Sequence, residues 1–290
     1  MQDILRNYAE DKQQARAWAF GLGLTAYISI VMMLGSGGDD VDTSMILGMD
    51  PIFLLAAQGV VATLMFIGVP ALFNGIALKI PFSEYFSNVS LITVGMTVLI
   101  SISFMVVNSA IGEWNMNLDF GSSDFAEWAK QSEEQLKVLT EHLTNFTGTT
   151  HFMMAFVVVA IIPAIGEELL FRGLIQNMFS KAFGNHHVAI WVTGFIFAAI
   201  HMQFFGVMPR MLLGVLFGYL YHWSGKLSVA MIGHLVNNGL ALIALYLTQQ
   251  DVVKVSPEQM EEAAPWPVVL LFTVISFVLI RTFYKKFQHA

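Results

Sequence analysis

Gly166-Glu167-Glu168-Leu169-Leu170-Phe171-Arg172-Gly173 closes an apolar run that opens near Phe152 and carries no charge up to Ile165. A run of this length can enter a bilayer, and three ionisable side chains sit at its end. A charge near the bilayer centre costs at least ~2.5–3.5 kcal/mol on insertion scales, so such residues are rare unless they have a function. On a helix that turns roughly 100° per residue, Glu168 and Arg172 share a face and can pair. Glu167 points about 100° away from Glu168. One carboxylate can hold the arginine while the other stays free for chemistry.

The rest of the chain fits this membrane reading. Its 290 residues are 56% hydrophobic and 12% charged, with a mean hydropathy of +0.65; soluble domains carry about 25% charged residues. The fold class expected is all-α, a polytopic integral membrane protein. Apolar segments at 17–34, 51–78, 89–110, 152–171, 188–205, 208–223, 227–247 and 266–283 predict about eight transmembrane helices. Asp3, Glu10 and Asp11 precede the first segment, which favours a retained span over a signal peptide. With eight spans, the basic N-terminal arm, Lys79, Lys181, Lys226, Lys285 and Lys286 fall on one side, which puts both termini in the cytoplasm. The opposite loops hold few bases, Lys130, Lys137 and Lys254 amid many acids, and Arg210, near the outer end of the sixth segment, is the exception. No internal repeat divides the chain, so 1–290 reads as one membrane domain. Its size and the lack of an organelle signal suit a bacterial cytoplasmic membrane. The net charge of -7 argues against a nucleic-acid partner. The absence of cysteine excludes disulfides and thiolate chemistry.

The polar loop 111–150 holds Trp114, Phe125 and Trp128, followed by Leu136, Leu139 and Leu143 at helical spacing. This predicts an amphipathic helix over 130–143, lying on the membrane face or lidding the bundle. An ordinary extramembrane helix packed on its neighbours is the other reading.

Three segments place polar groups in hydrocarbon. The fourth supplies Glu167, Glu168 and Arg172; the fifth supplies His201, four residues after Phe197; the seventh supplies His234 and Asn238, one turn apart. A lone buried histidine is usually structural, and a Glu–Arg pair can be a packing device. Gathered in one place, imidazole, carboxylate and amide can bind and activate a water, as amide hydrolysis requires. Adjacent His186 and His187 diverge by about 100° on a helix and read as an interfacial turn rather than a metal pair. Gly206, Gly214 and Gly218 suggest close helix packing in the sixth segment.

Glu167-Glu168-x-x-x-Arg172, Phe197-x-x-x-His201 and His234-x-x-x-Asn238, in that order, resemble the motifs of the CPBP intramembrane proteases, which include CAAX prenyl endopeptidases and bacteriocin-processing or self-immunity proteins. The resemblance covers roughly 150–245, the expected catalytic core. It implies an intramembrane endopeptidase acting on a peptide or protein presented at the lipid bilayer. Glu167 would be the general base on water, assisted by His201. His234 and Asn238 would stabilise the oxyanion, and Glu168, Arg172 and Phe197 would support the site. Two versions stay open: a glutamate-type enzyme without metal, and a metalloprotease with a single zinc on Glu167, His201 and His234. A proteolytically silent immunity or scaffold protein of the same fold, or a transporter with a buried polar site, are the competing functions. One tension remains at this level. Spacing sets Glu167 and His234 toward the cytoplasmic ends of their helices and His201 toward the outer end of its own.

Overall fold

Every regular element among the described residues is helical. The computed structural model describes residues 46–73, 75, 82–254 and 262–288; the expected first span at 17–34 and Lys79 lie outside these. In chain order the helices are α1 (Pro51–Phe73), α2 (Leu91–Met116), α3 (Asp124–Thr144), α4 (Thr149–Phe183), α5 (His186–Ala199), α6 (Val207–Ser224), α7 (Leu227–Gln249) and α8 (Trp266–Gln288). Six helices among the described residues are long and apolar enough to cross a membrane, α6 together with the 3-10 turn Phe204–Gly206 that precedes it.

Helix starts follow ordinary capping chemistry. Asp50 accepts from the Phe53 N–H before α1, and Ser90 from the Thr93 N–H before α2. Ser123 opens α3 through the Ala126 N–H. Asn185 takes the His187 and Val188 N–H groups before α5. Each side chain satisfies donors that the first turn cannot pair internally. Gly184 and Gly225 close α4 and α6 in the left-handed conformation that glycine adopts without steric cost.

Helices α2, α4, α6 and α7 enclose one core, with Leu169, Phe171, Phe217, Leu220, Tyr221 and Val229 fully or almost fully buried. The outer residues of α8, among them Leu270, Val274 and Phe277, are exposed, as side chains facing lipid are. Trp266 and Tyr284, near the ends of α8, are also exposed.

Two expected boundaries are corrected. The fourth segment does not stop near Phe171; α4 is continuous to Phe183. Part of its polar inner face is paired from α6 and α4 itself: Gln176 Nε2 donates to the Gly218 carbonyl at 3.1 Å, and Asn177 Nδ2 donates to the Arg172 and Gly173 carbonyls. The fifth segment does not run through to Phe205. Helix α5 has 14 residues, about 21 Å at 1.5 Å per residue, short of a ~30 Å bilayer core. The chain leaves α5 because Met202 adopts φ 53°, which no right-handed helix accommodates. His201 and Met202 instead donate to the Ala198 and Ala199 carbonyls three residues back.

The amphipathic segment forms α3, longer than 130–143 at its N-terminal end. Ala126, Ala129 and Leu143 are buried along it. It packs on the start of α1, on the start of α4 and on the turn that follows α5. Its last carbonyls are capped by side chains, with Gln249 Nε2 donating to Thr144 O at 2.9 Å and His151 Nε2 to Leu143 O at 2.9 Å.

Candidate active site

The polar centre begins with a defect in α4. Two π-helical segments, Phe156–Ile161 and Phe171–Gln176, interrupt the α-helix on either side of the glutamate pair. Pro163 has no N–H to give the Val159 carbonyl four residues earlier. Asn238 on α7 makes up the loss, donating from Nδ2 to Val159 O at 3.1 Å. Between the two segments, Gly166 lets α4 approach α1: a Cβ there would lie 2.6 Å from Phe66 Cβ and 3.1 Å from Ile67 Cγ1. Glu167 is thereby held well inside a long helix rather than near its end.

Glu168 and Arg172, both fully buried, pair along the helix, with Arg172 Nη1 donating to Glu168 Oε1 at 2.6 Å. Arg172 Nη2 donates to the Gly214 carbonyl at 2.8 Å. A Cβ on Gly214 would fall 3.1 Å from Gly194 Cα and 3.2 Å from Phe197 Cδ1, so glycine here lets α6 approach α5 closely beside the guanidinium. The guanidinium also lies 4.9 Å from the Phe197 ring centroid and 5.7 Å from that of Phe217, a favourable cation–π placement.

His234 Nδ1 lies 2.8 Å from Glu168 Oε1. A carboxylate accepts, so Nδ1 carries the proton and the tautomer is fixed. His234 Nε2 then accepts from Asn238 Nδ2 at 3.2 Å and faces Glu167 Oε2 at 3.9 Å. The Glu167 side chain is 14% exposed and that of Glu168 0%. Glu167 is the carboxylate open to a reactant, and Glu168 is the internal one. Asn238 is also tied to its neighbour, accepting from Asn237 Nδ2 at 3.1 Å.

His201 approaches from the turn beyond α5. Its Nδ1 lies 2.7 Å from the Phe197 carbonyl, so Nδ1 donates and Nε2 keeps its lone pair. The Phe197 ring meets His201 edge-on at 5.1 Å and His234 edge-on at 6.0 Å. His201 interacts electrostatically with His234 and with Arg210. Among the described residues no hydrogen bond or ion pair joins His201 to Glu167. The structure thus brings Glu167, Glu168, Arg172, His234 and Asn238 into one bonded cluster, and sets His201 beside it through Phe197. The tension in the spacing eases for two reasons: α4 extends past Glu167, and α5 ends before His201.

A zinc on Glu167, His201 and His234 needs those three side chains around one point. Among the described residues no three His, Asp or Glu side chains are gathered so that they can hold an ion. The donor set as arranged does not fit a three-ligand metal.

Several contributors were missed at the level of sequence. Glu168 was expected to hold only Arg172, yet it also orients His234. The open Val159 carbonyl has a signal in the sequence, Pro163 four residues on, which has no N–H to give it. Gly214 was read as packing alone. His186 and His187 lie at the start of α5, where His186 stacks on His222 at 4.1 Å and His187 Nδ1 meets the Tyr219 hydroxyl at 2.9 Å.

The family model described as type II CAAX prenyl endopeptidase Rce1-like matches residues 149–240. The uncharacterized protein YpbD of Bacillus subtilis (strain 168) is 29% identical over 82 residues, 27% of this chain and 39% of that protein. The membrane-embedded CAAX protease MroQ of Staphylococcus aureus (strain USA300) is 33% identical over 106 residues, 35% of this chain and 42% of that protein. The chain spans about two fifths of the length of these curated relatives. No solved structure matches. The match spans α4 to α7, the helices that carry every motif residue above, and through this region the chain is similar to the CAAX-type intramembrane proteases of the CPBP family.

Proposed function

We propose that the protein is a glutamate-type intramembrane endopeptidase. One observation carries the reading: a partly open carboxylate, Glu167, stands 3.9 Å from an imidazole whose tautomer is fixed by a second, buried carboxylate. A gap of that size between two polar atoms suits a bridging water. Glu167 takes a proton from that water as its oxygen adds to the scissile carbonyl carbon. His201 steadies the same water through the Nε2 lone pair. The carbonyl oxygen becomes an oxyanion next to His234, which Glu168 holds at Nδ1 and which presents the Asn238 amide to that oxygen. Asn238 swings its amide from Nε2 to the same oxygen. Preorganised donors of this kind are worth about 2.7–4 kcal/mol each in other hydrolases. The C–N bond then breaks and Glu167 returns its proton to the leaving amine, giving a free carboxylate and a free amine.

The reaction runs on protein groups alone, in keeping with the donor arrangement. The substrate is a peptide or protein presented at the bilayer, and the distribution of basic residues supports entry from the cytoplasmic side with both termini there. The two relatives are bacterial proteins, which supports a bacterial cytoplasmic membrane.

The test is Glu167→Gln in the purified full chain with a generic peptide substrate. Loss of general-base catalysis should lower turnover about 10²–10⁴-fold. Full turnover in this variant would overturn the mechanism, and a wild-type chain inert on every peptide would favour a silent scaffold of the same fold.

A further inference from the structure

Gln203, two residues beyond His201, is the meeting point of three elements. Its side-chain amide donates to Glu133 Oε1 on α3 at 3.3 Å. Its side-chain oxygen accepts from Arg210 Nη2, and its backbone carbonyl from Arg210 Nη1 at 3.4 Å. Arg210 belongs to the first turn of α6, and its charge interacts with both Glu133 and Glu167. The second carboxylate oxygen of Glu133 is buried with no hydrogen-bond partner. The Arg210 guanidinium lies across Gln203 from this carboxylate.

The segment these groups grip is the one that most needs support. Residues 200–206 leave the α-helical ladder, and Met202, between His201 and Gln203, takes φ 53°. Its backbone is held by bonds that span three residues, among them those from the His201, Met202 and Gly206 N–H groups, and side chains from elsewhere complete the support. Phe204 packs against Phe125 at 5.2 Å and Trp128 at 5.2 Å, both from α3, and Phe205 against Phe120 at 5.2 Å. On its other side, Asn115 of α2 donates to the Phe204 carbonyl at 3.2 Å and accepts from the Met208 N–H at 2.7 Å. Among the described residues the imidazole of His201 makes a single hydrogen bond, from Nδ1 to the Phe197 carbonyl. Its position in the hollow is therefore set by the turn.

We propose that Gln203 and Arg210 are positioning residues for His201, and that Glu133 of α3 completes this latch. The proposal rests on His201 acting on the water as described above. Part of the chain that touches no reacting atom thereby controls turnover.

The experiment uses the full chain in detergent or nanodiscs and follows kcat and KM separately on one peptide. Gln203→Ala and Arg210→Gln should each lower kcat ten- to a hundredfold with KM within about twofold, because the water and not the peptide loses its partner. Gln203→Glu should do the same by setting two carboxylates against each other. The double variant Glu133→Gln/Gln203→Glu exchanges the charge and the amide across the latch, keeps the partner for Arg210, and should recover kcat to within about threefold of wild type. A role confined to stability would not produce that recovery at a temperature well below unfolding. Wild-type kcat in Gln203→Glu and Arg210→Gln, with Glu167→Gln inactive, overturns the latch and leaves the site reading standing. Failure of the double variant to recover, with its thermal midpoint unchanged, also overturns it. Activity in Glu167→Gln would instead remove the site reading on which the latch depends.

Discussion

Asn238 on α7 donates to the Val159 carbonyl on α4 across 3.1 Å, at the point where Pro163 has withdrawn the helical donor. The same amide nitrogen lies 3.2 Å from His234 Nε2. One side chain therefore repairs a backbone defect, docks two helices and supports the imidazole nearest the open glutamate. Asparagine suits this position because its planar amide offers two hydrogens in fixed directions.

Asn238→Ala should lower turnover and also stability, by about 1–3 kcal/mol for the buried acceptor left unpaired. The stability part should shrink in a Pro163→Ala background, where the N–H at 163 can return to Val159. A double-mutant cycle on the thermal midpoint in detergent measures the coupling. Additive midpoint shifts would show that Pro163 and Asn238 are unrelated.

Breaking the Glu168–Arg172 pair from one side leaves a buried charge without its partner, a change that typically costs about 3–5 kcal/mol. Arg172→Met and Glu168→Gln should therefore each unfold at markedly lower temperature than wild type. The double variant should regain much of that stability without regaining turnover, because His234 no longer faces a carboxylate at Nδ1. Thermal melts read beside peptide cleavage separate the two effects.

Gly166→Ala drives a methyl to 2.6 Å from Phe66 Cβ. Overpacking of this kind costs about 1–3 kcal/mol, and the shift of α4 against α1 should carry Glu167 with it. Gly95→Ala is the control, since a Cβ there meets nothing within 4 Å. Equal melting points for the two variants would show that the α1–α4 contact is not tight.

Dialysis against a strong chelator should leave peptide cleavage unchanged, as expected of a reaction run by Glu167 and its neighbours. Loss of activity restored by zinc would establish the His₂Glu version, and would require His201 to swing toward Glu167 and His234.

The membrane character and the helical fold were legible in the chain itself, because continuous apolar runs and scarce charge are properties of composition that no packing detail can reverse. The Glu168–Arg172 pair was legible for a similar reason: a spacing of four residues on one helix fixes proximity locally. The motif residues Glu167, His201, His234 and Asn238 could be picked out as polar groups in hydrocarbon, but not their partners. Spacing along α4 could not reveal that Glu168 also holds His234 on α7, nor that Gly214 on α6 receives Arg172. The end of α5 was equally hidden, since Ile200, His201 and Met202 do not break a helix by propensity, and the turn is held by Asn115, Arg210 and the aromatic residues of α3. Sequence alone thus determined what each helix is and which residues are costly to bury. Only the tertiary structure decided which of those residues meet, because contacts between helices depend on the breaks, glycine approaches and turns that set one helix against another.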